Sequence, residues 1–324
     1  MIRMSALKKP ESGVLIVLCL MTGIFSLISP YFMEWSTWEG ILVSSTEIGI
    51  IALGATILMI AGEFDLSVGS NLAFSGMIYA TLVAQYGYPA WMAFIPTLLV
   101  GMVIGLINGW ITIRMGLPSF ITTLGAMLLW RGLVLMYTDG FPVSSVDLDS
   151  EGSFFVRSFI PGLKGSFLIW AAIALLLVFL LKHHPWGNWI MAVGGNQEAS
   201  WAMGINTKLV KILCFALSGV LAALAGVIQF EHLGSLSPTA GEQYELRAIA
   251  IAVIGGTLLS GGVGTIWGTM IGTLLMSVLA AGLVQSGVSA YWFRSFLGVI
   301  LVLAVIFNQK IRKSLRFRRQ HESG

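Results

Sequence analysis

The chain has 324 residues and a formal net charge of +3, with 56% hydrophobic and only 10% charged residues, against about 25% charged in soluble globular proteins. That deficit excludes an ordinary soluble enzyme. The small positive excess follows the apolar runs rather than gathering into a patch, so no nucleic acid is implied. Two cysteines inside apolar runs, Cys19 and Cys214, and four histidines without ligand spacing indicate neither a disulfide framework nor a metal site. The composition implies an all-α polytopic membrane protein, a single membrane domain over 1–324.

Arg3, Lys8 and Lys9 precede the first apolar run, 13–29. Pro30-Tyr31-Phe32 follows it where a small-x-small cleavage site would stand, so it reads as a retained helix. At about 20 residues per crossing, further spans are expected near 41–60, 67–84, 90–113, 119–137, 165–181, 209–229, 246–259, 265–284 and 291–308, about ten in all. The eighth is short and runs into Ser260-Gly261-Gly262-Val263-Gly264, which allows a discontinuous helix. An even number places both termini on one side. With that side cytoplasmic, the inner segments hold Arg3, Lys8, Lys9, Arg114, Lys182, Lys208, Lys211 and six basic residues of the tail 309–324. The loop 182–208 is then cytoplasmic, and the acidic loop 138–164 faces outward.

The stretch from Gly194 to Thr207 is polar yet helical in period. Asn196 is placed to cap a helix of about two turns, with Glu198 in the first turn where the helix dipole favours a carboxylate. Ala199, Ala202 and Met203 share a face, and Gly204 can end the helix in the left-handed conformation. Such a helix either docks a partner or lies in the interface.

Gly62-Glu63-Phe64-Asp65-Leu66-Ser67-Val68-Gly69-Ser70 joins the second and third spans. Asp65 or Ser67 can cap the following helix, and Gly69 allows close helix approach. From Val253 to Thr269, six of seventeen residues are glycine, including Gly255, Gly256, Gly261 and Gly262, with Ser260 among them. That density fits close backbone packing or a helix break beside a cavity. No Gly-Lys dipeptide occurs anywhere, so the chain has no phosphate loop and cannot hydrolyse ATP by that route. Glu47 and Arg131 lie inside spans, each roughly 9 Å from an outer end. Uncompensated charge there is expensive, so the two are expected to pair as a brace. Trp130, Trp170, Trp186, Trp189 and Trp292 sit near span ends and read as interfacial anchors.

Three of these segments carry a family resemblance. Glu198-Ala199-Ser200, three residues and Gly204 resemble the EAA-x3-G loop of ABC importer permeases, and the run 194–207 is similar to its form in the ribose-type (simple sugar) family. The 62–70 turn resembles that family's GG-x-DLS-x-GS signature, with Glu63 in place of the commoner second glycine. The 254–268 run is similar to its IGG-x-x-LSGG-x-G-x-x-x-G segment. The resemblance implies an inner-membrane permease of type II-like architecture in a bacterium, working as a homo- or heterodimer. It implies ABC ATPase subunits that dock on Gly195, Asn196, Glu198, Ala199 and Gly204. It also implies a periplasmic or lipid-tethered binding protein that delivers the solute. ATP with magnesium is then used by the ATPase, and this chain binds no cofactor and is not an enzyme. A neutral monosaccharide or polyol suits a path with few fixed charges. A nucleoside, an amino acid or a signalling sugar is the alternative cargo, and an ion-coupled secondary transporter the alternative class.

Overall fold

The computed structural model describes residues 10–145, 154–160, 163–289, 292, 295–299 and 302. They form the helices α1 (Pro10–Ile28), α2 (Trp35–Ile60), α3 (Val68–Ala84), α4 (Ala90–Met115) and α5 (Ser119–Thr138). The strands β1 (Val143–Ser144), β2 (Ser158–Ile160) and β3 (Leu163–Lys164) follow. Then come α6 (Gly165–His183), α7 (Pro185–Gly195), α8 (Gln197–Ala202), α9 (Thr207–Leu233), β4 (Ser235–Leu236), α10 (Tyr244–Ile254) and α11 (Ile266–Gln285). Among the described residues seven helices are long and apolar enough to cross a membrane: α1, α2, α4, α5, α6, α9 and α11. The chain is therefore a helical protein of polytopic membrane type.

α3 keeps the bounds of the third expected span to within one residue, at 17 residues, the lower limit for a crossing. The span expected at 246–259 is corrected to α10, 11 residues, which rise about 16 Å, half of a hydrocarbon core of about 30 Å. Of the tenth expected span, 291–308, only residues 292, 295–299 and 302 are described, and the basic tail and residues 146–153 of the long loop lie outside the described residues. The loop 182–208 carries a helix that hydropathy did not reveal, α7. His184 caps it through its ring Nδ1, which accepts from the Trp186 N–H at 3.3 Å, and Pro185 sits at the first helical position, where no N–H is needed.

α2 is the axis of the bundle. Every residue from Ser45 to Ile60 is buried, as expected of a helix apolar all round. α9 lies across α2, α3 and α4. The α4–α9 crossing is made by Gly101, Gly105 and Gly109, spaced one turn apart. A methyl on Gly101 would stand 2.5 Å from the Gly219 carbonyl oxygen, and one on Gly109 3.0 Å from Phe215 Cβ. Small residues at helical spacing let backbones meet where lipid offers no hydrophobic drive. Asn71 of α3 closes this crossing, its amide donating to the carbonyls of Gly101 (3.3 Å) and Gly219 (3.4 Å).

α10 starts inside the bundle because the chain before it dives inward. β4 pairs with β1 just beyond α5. Two turns deeper on α5, Arg131 Nη1 donates to the carbonyls of Pro238 and Ala240. Gly241 then packs on Gly69 at the start of α3. Such irregular backbone is tolerated at depth only against protein or water. Trp170, expected at an interface, is instead in the core at 1% exposure.

A candidate coupling site where three turns meet

The three motif-bearing segments converge at the end of the bundle that carries α8. The Gly262 N–H donates to the carbonyl of Ile60, the last residue of α2, at 2.8 Å. Gly194 at the end of α7 lies against both groups, and a methyl there would overlap the Ile60 oxygen and stand 2.7 Å from the Gly262 nitrogen. A methyl on Gly261 would stand 2.9 Å from the Gly62 Cα. Gly261 and Gly262 both have φ near +79°, the left-handed region that glycine enters without a Cβ penalty. Gly62, Gly194, Gly195, Gly261 and Gly262 thus form one backbone-to-backbone junction. Gly255 seals the other side of the same loop, buried against Gly268 of α11, while Ser260 is exposed at its tip. Gly256, at φ +94°, turns the chain out of α10.

The linker 61–67 is buried at Ala61 and from Asp65 to Ser67 and half-buried from Gly62 to Phe64; several of its polar groups are matched, while Asp65 Oδ2 has no hydrogen-bond partner among the described residues. Asp65 Oδ1 accepts from the Ser67 N–H (2.8 Å) and the Ser67 hydroxyl (2.6 Å), an Asx turn. The Asn108 amide of α4 donates to Ser67 Oγ at 2.8 Å. Two α5 hydroxyls, Ser119 and Thr123, accept from the N–H groups of Phe64 and Leu66. Burial pushes the Asp65 carboxyl above its ordinary range, against the pull of the two Ser67 hydrogen bonds. The expected capping of α3 is corrected: Ser67 occupies the N-cap position without a side-chain bond to the helix, and Asp65 holds the turn instead.

α8 follows its expected local chemistry in a shorter form, six residues. Asn196 Oδ1 accepts from the Ala199 N–H at 3.0 Å, and Gly204 leaves the helix at φ +85°. Ser200 alone turns inward, its hydroxyl donating to the Asn196 carbonyl at 2.8 Å. Glu198, Ala199 and Ala202 are exposed, and so are Trp201 at 70% and Met203 at 83%. Asn196→Ala removes the cap, which is worth about 1 kcal/mol. Hydrogen exchange at the Ala199 amide is expected to speed up about fivefold, and an unchanged rate would show that the cap does not hold the helix.

A buried ion pair joins α8 to the linker. Lys211 Nζ, in the first turns of α9, contacts Glu63 Oε1 at 2.6 Å and Gln197 Oε1 at 2.7 Å. The pairing of Glu47 with Arg131, by contrast, is corrected. Glu47 faces α9, where its carboxylate accepts from Gln229 Nε2 at 3.2 Å and lies 3.4 Å from His232 Nδ1. Arg131 faces the inward-diving segment, with Glu242 and Glu245 in electrostatic reach. α5 packs chiefly on α3 and α4, whereas α2 packs on α9, α10 and α11, so the two residues point into different cores. Lys211 and its partners escaped the sequence reading because Glu63 and Lys211 are 148 positions apart. The glycines at 101, 105 and 109 were legible and were missed.

The three motif segments thus meet at one end of a helical bundle of membrane type, around a short capped helix displayed outside its long helices. The chain belongs to the family described as branched-chain amino acid transport system / permease component, which it matches over residues 37–305. It is 38% identical over 303 residues to the ribose import permease protein of Escherichia coli, covering 93% of this chain and 94% of that one. It is 37% identical to the Bacillus subtilis ribose import permease protein, over 92% of each chain. It is 35% identical to the galactose/methyl galactoside import permease protein of Salmonella typhimurium, over 98% of this chain and all of the relative. No solved structure matches. The protein is a transport permease subunit of an ABC importer and not itself an enzyme.

Proposed function

We propose that this chain is the membrane subunit of a binding-protein-dependent importer for a monosaccharide or a related polyol, in the inner membrane of a bacterium. The cargo follows from the ribose and galactose names of relatives aligned over more than nine-tenths of their length; an amino acid is the other cargo that the family's description names. In this reading the whole chain is one permease domain of type II-like architecture, with ten crossings and both termini in the cytoplasm. Two permease copies enclose the path. Paired ABC ATPases bind ATP with magnesium below, and a periplasmic or lipid-tethered binding protein delivers the solute above.

The observation that carries the reading is α8: a capped helix outside the spans, presenting Trp201, Met203, Ala199 and Ala202 to solvent around Glu198. Exposed apolar side chains at the end of a bundle mark a protein contact. The ATPase groove takes this face, with Gly195 and Asn196 setting its entry and Gly204 its exit. The 62–69 turn (Gly62, Asp65, Ser67, Gly69) and the 255–262 turn (Gly255, Gly256, Ser260, Gly261, Gly262) receive its movement. The face with Arg131 and the exposed Glu242 lines the path or the contact between permease copies, because lipid does not tolerate such charges.

The test is co-purification from the native membrane under gentle conditions. The wild-type chain is expected to bring an ATPase with it. Glu198→Arg is expected to lower the recovered ATPase at least tenfold, about 1.4 kcal/mol of docking energy. A wild-type preparation without any ATPase would defeat the reading, and full recovery with Glu198→Arg would remove α8 from the contact.

A further inference from the structure

Resting on the proposed docking of α8, we infer that Lys211 and Glu63 form a strut that makes the docking helix and the 61–67 linker move as one body. Lys211 is therefore a positioning residue for energy coupling. Its ammonium reaches Gln197, the first residue of α8, and Glu63 of the linker, at 2.7 and 2.6 Å. Both charged side chains are nearly enclosed, at 9% exposure for Lys211 and 12% for Glu63.

α8 is tied to the interior at two places besides the buried side chains of α7, Ile190 and Val193. The first is the glycine junction of Gly194 and Gly262 with Ile60, backbone against backbone and held by the hydrogen bond from the Gly262 N–H to the Ile60 carbonyl. The second is the ion pair. Separating its members would leave a bare charge in a nearly water-free site, which is strongly disfavoured. Of these ties the ion pair is the one that links α8 itself to the linker through side chains. The far side of the linker is held by Asn108, Ser119 and Thr123, and beyond it Gly69 of α3 touches Gly241 of the inward-diving segment. A shift of α8 is thereby delivered to the start of α3 in the interior.

A merely stabilising ion pair is replaceable, both members together, by neutral groups at little cost; a transmitting one is not. The experiment uses the full complex of permease, ATPase and binding protein in proteoliposomes, and reads solute moved per ATP hydrolysed, beside ATPase recovery. The double variant Glu63→Gln with Lys211→Met, which leaves neither charge bare, is expected to keep the ATPase bound and active while that ratio falls about tenfold, within the usual range of inter-site coupling. The exchange Glu63→Lys with Lys211→Glu is expected to retain most of the wild-type ratio. A wild-type ratio in the double neutral variant overturns the strut, and so does an exchange that retains nothing. Should the double neutral variant fail to accumulate, Glu63→Asp decides: it keeps both charges but shortens the reach by one methylene, and an unchanged ratio overturns the strut. Loss of the ATPase from the wild-type complex would instead overturn the docking reading beneath it.

Discussion

Gly194→Ala is expected to be among the most damaging single-methyl changes in this chain. The added carbon has no room: it overlaps the Ile60 carbonyl oxygen and stands 2.7 Å from the Gly262 nitrogen. Those two groups are hydrogen-bonded to each other at 2.8 Å, so relief of the clash must prise them apart. Rotation of a side chain gives no relief, because the three nearest atoms to the new methyl, the Ile60 oxygen and carbon and the Gly262 nitrogen, are all backbone. Overpacking of a tight site costs about 1–3 kcal/mol, and an N–H left unpaired about 1–3 kcal/mol more. The apparent melting temperature in detergent is expected to drop by several degrees or more, and ATPase recovery with it. Gly23→Ala is the control. Nothing lies within 4 Å of a methyl at Gly23 in α1, and alanine improves helix propensity there by about 1 kcal/mol. Equal melting temperatures for the two variants would mean that the junction of α2, α7 and the 255–262 turn yields easily.

The parts of this fold that were legible in the sequence are those whose cause is local. The apolar runs that become α2, α4, α5, α6, α9 and α11 announce themselves by length. The Asn196 cap and the Gly204 exit are legible because a cap is decided within four residues. α10 was misjudged because hydropathy averages over a window. The buried turns after Ile254 look as apolar as helix, and the inward-diving segment 237–243 looks like any outer loop. α7 was missed because its start depends on His184 and Pro185 rather than on a change in polarity. The rule that charges inside a bundle find partners held in kind, yet it named the wrong partners for Glu47 and Arg131. Partner choice depends on which helices pack, and that is not written in spacing. The link from Glu63 to Lys211 is the clearest case, since neither residue alone differs from an ordinary solvated charge.

Arg131 is the second position where a large loss is expected. Its guanidinium holds the carbonyls of Pro238 and Ala240 and lies in electrostatic reach of the carboxylates of Glu242 and Glu245. The segment it holds has no helix or long strand of its own to keep it in place between β4 and α10. Arg131→Met leaves two carbonyls without this donor, at about 1–3 kcal/mol each where they are sealed from water, and removes a positive charge from the reach of Glu242 and Glu245. Solute uptake is expected to fall more than tenfold, equivalent to about 1.4 kcal/mol or more. ATPase recovery should persist, because α8 and its junction lie at the other end of the bundle. Arg131→Lys is expected to retain the charge but lose the fork that reaches two carbonyls at once, giving an intermediate rate. Exchanging the charges of Glu47 and Arg131 should rescue neither single variant, since Glu47 faces Gln229 and His232. Amide exchange over 239–243 is the direct check. It should accelerate in Arg131→Met and hardly change in Glu47→Gln, and a variant that transports normally with its 239–243 amides still protected would show that the segment holds itself. The two ends of the bundle then separate experimentally: damage at Gly194 removes the ATPase and the transport together, whereas damage at Arg131 removes transport alone.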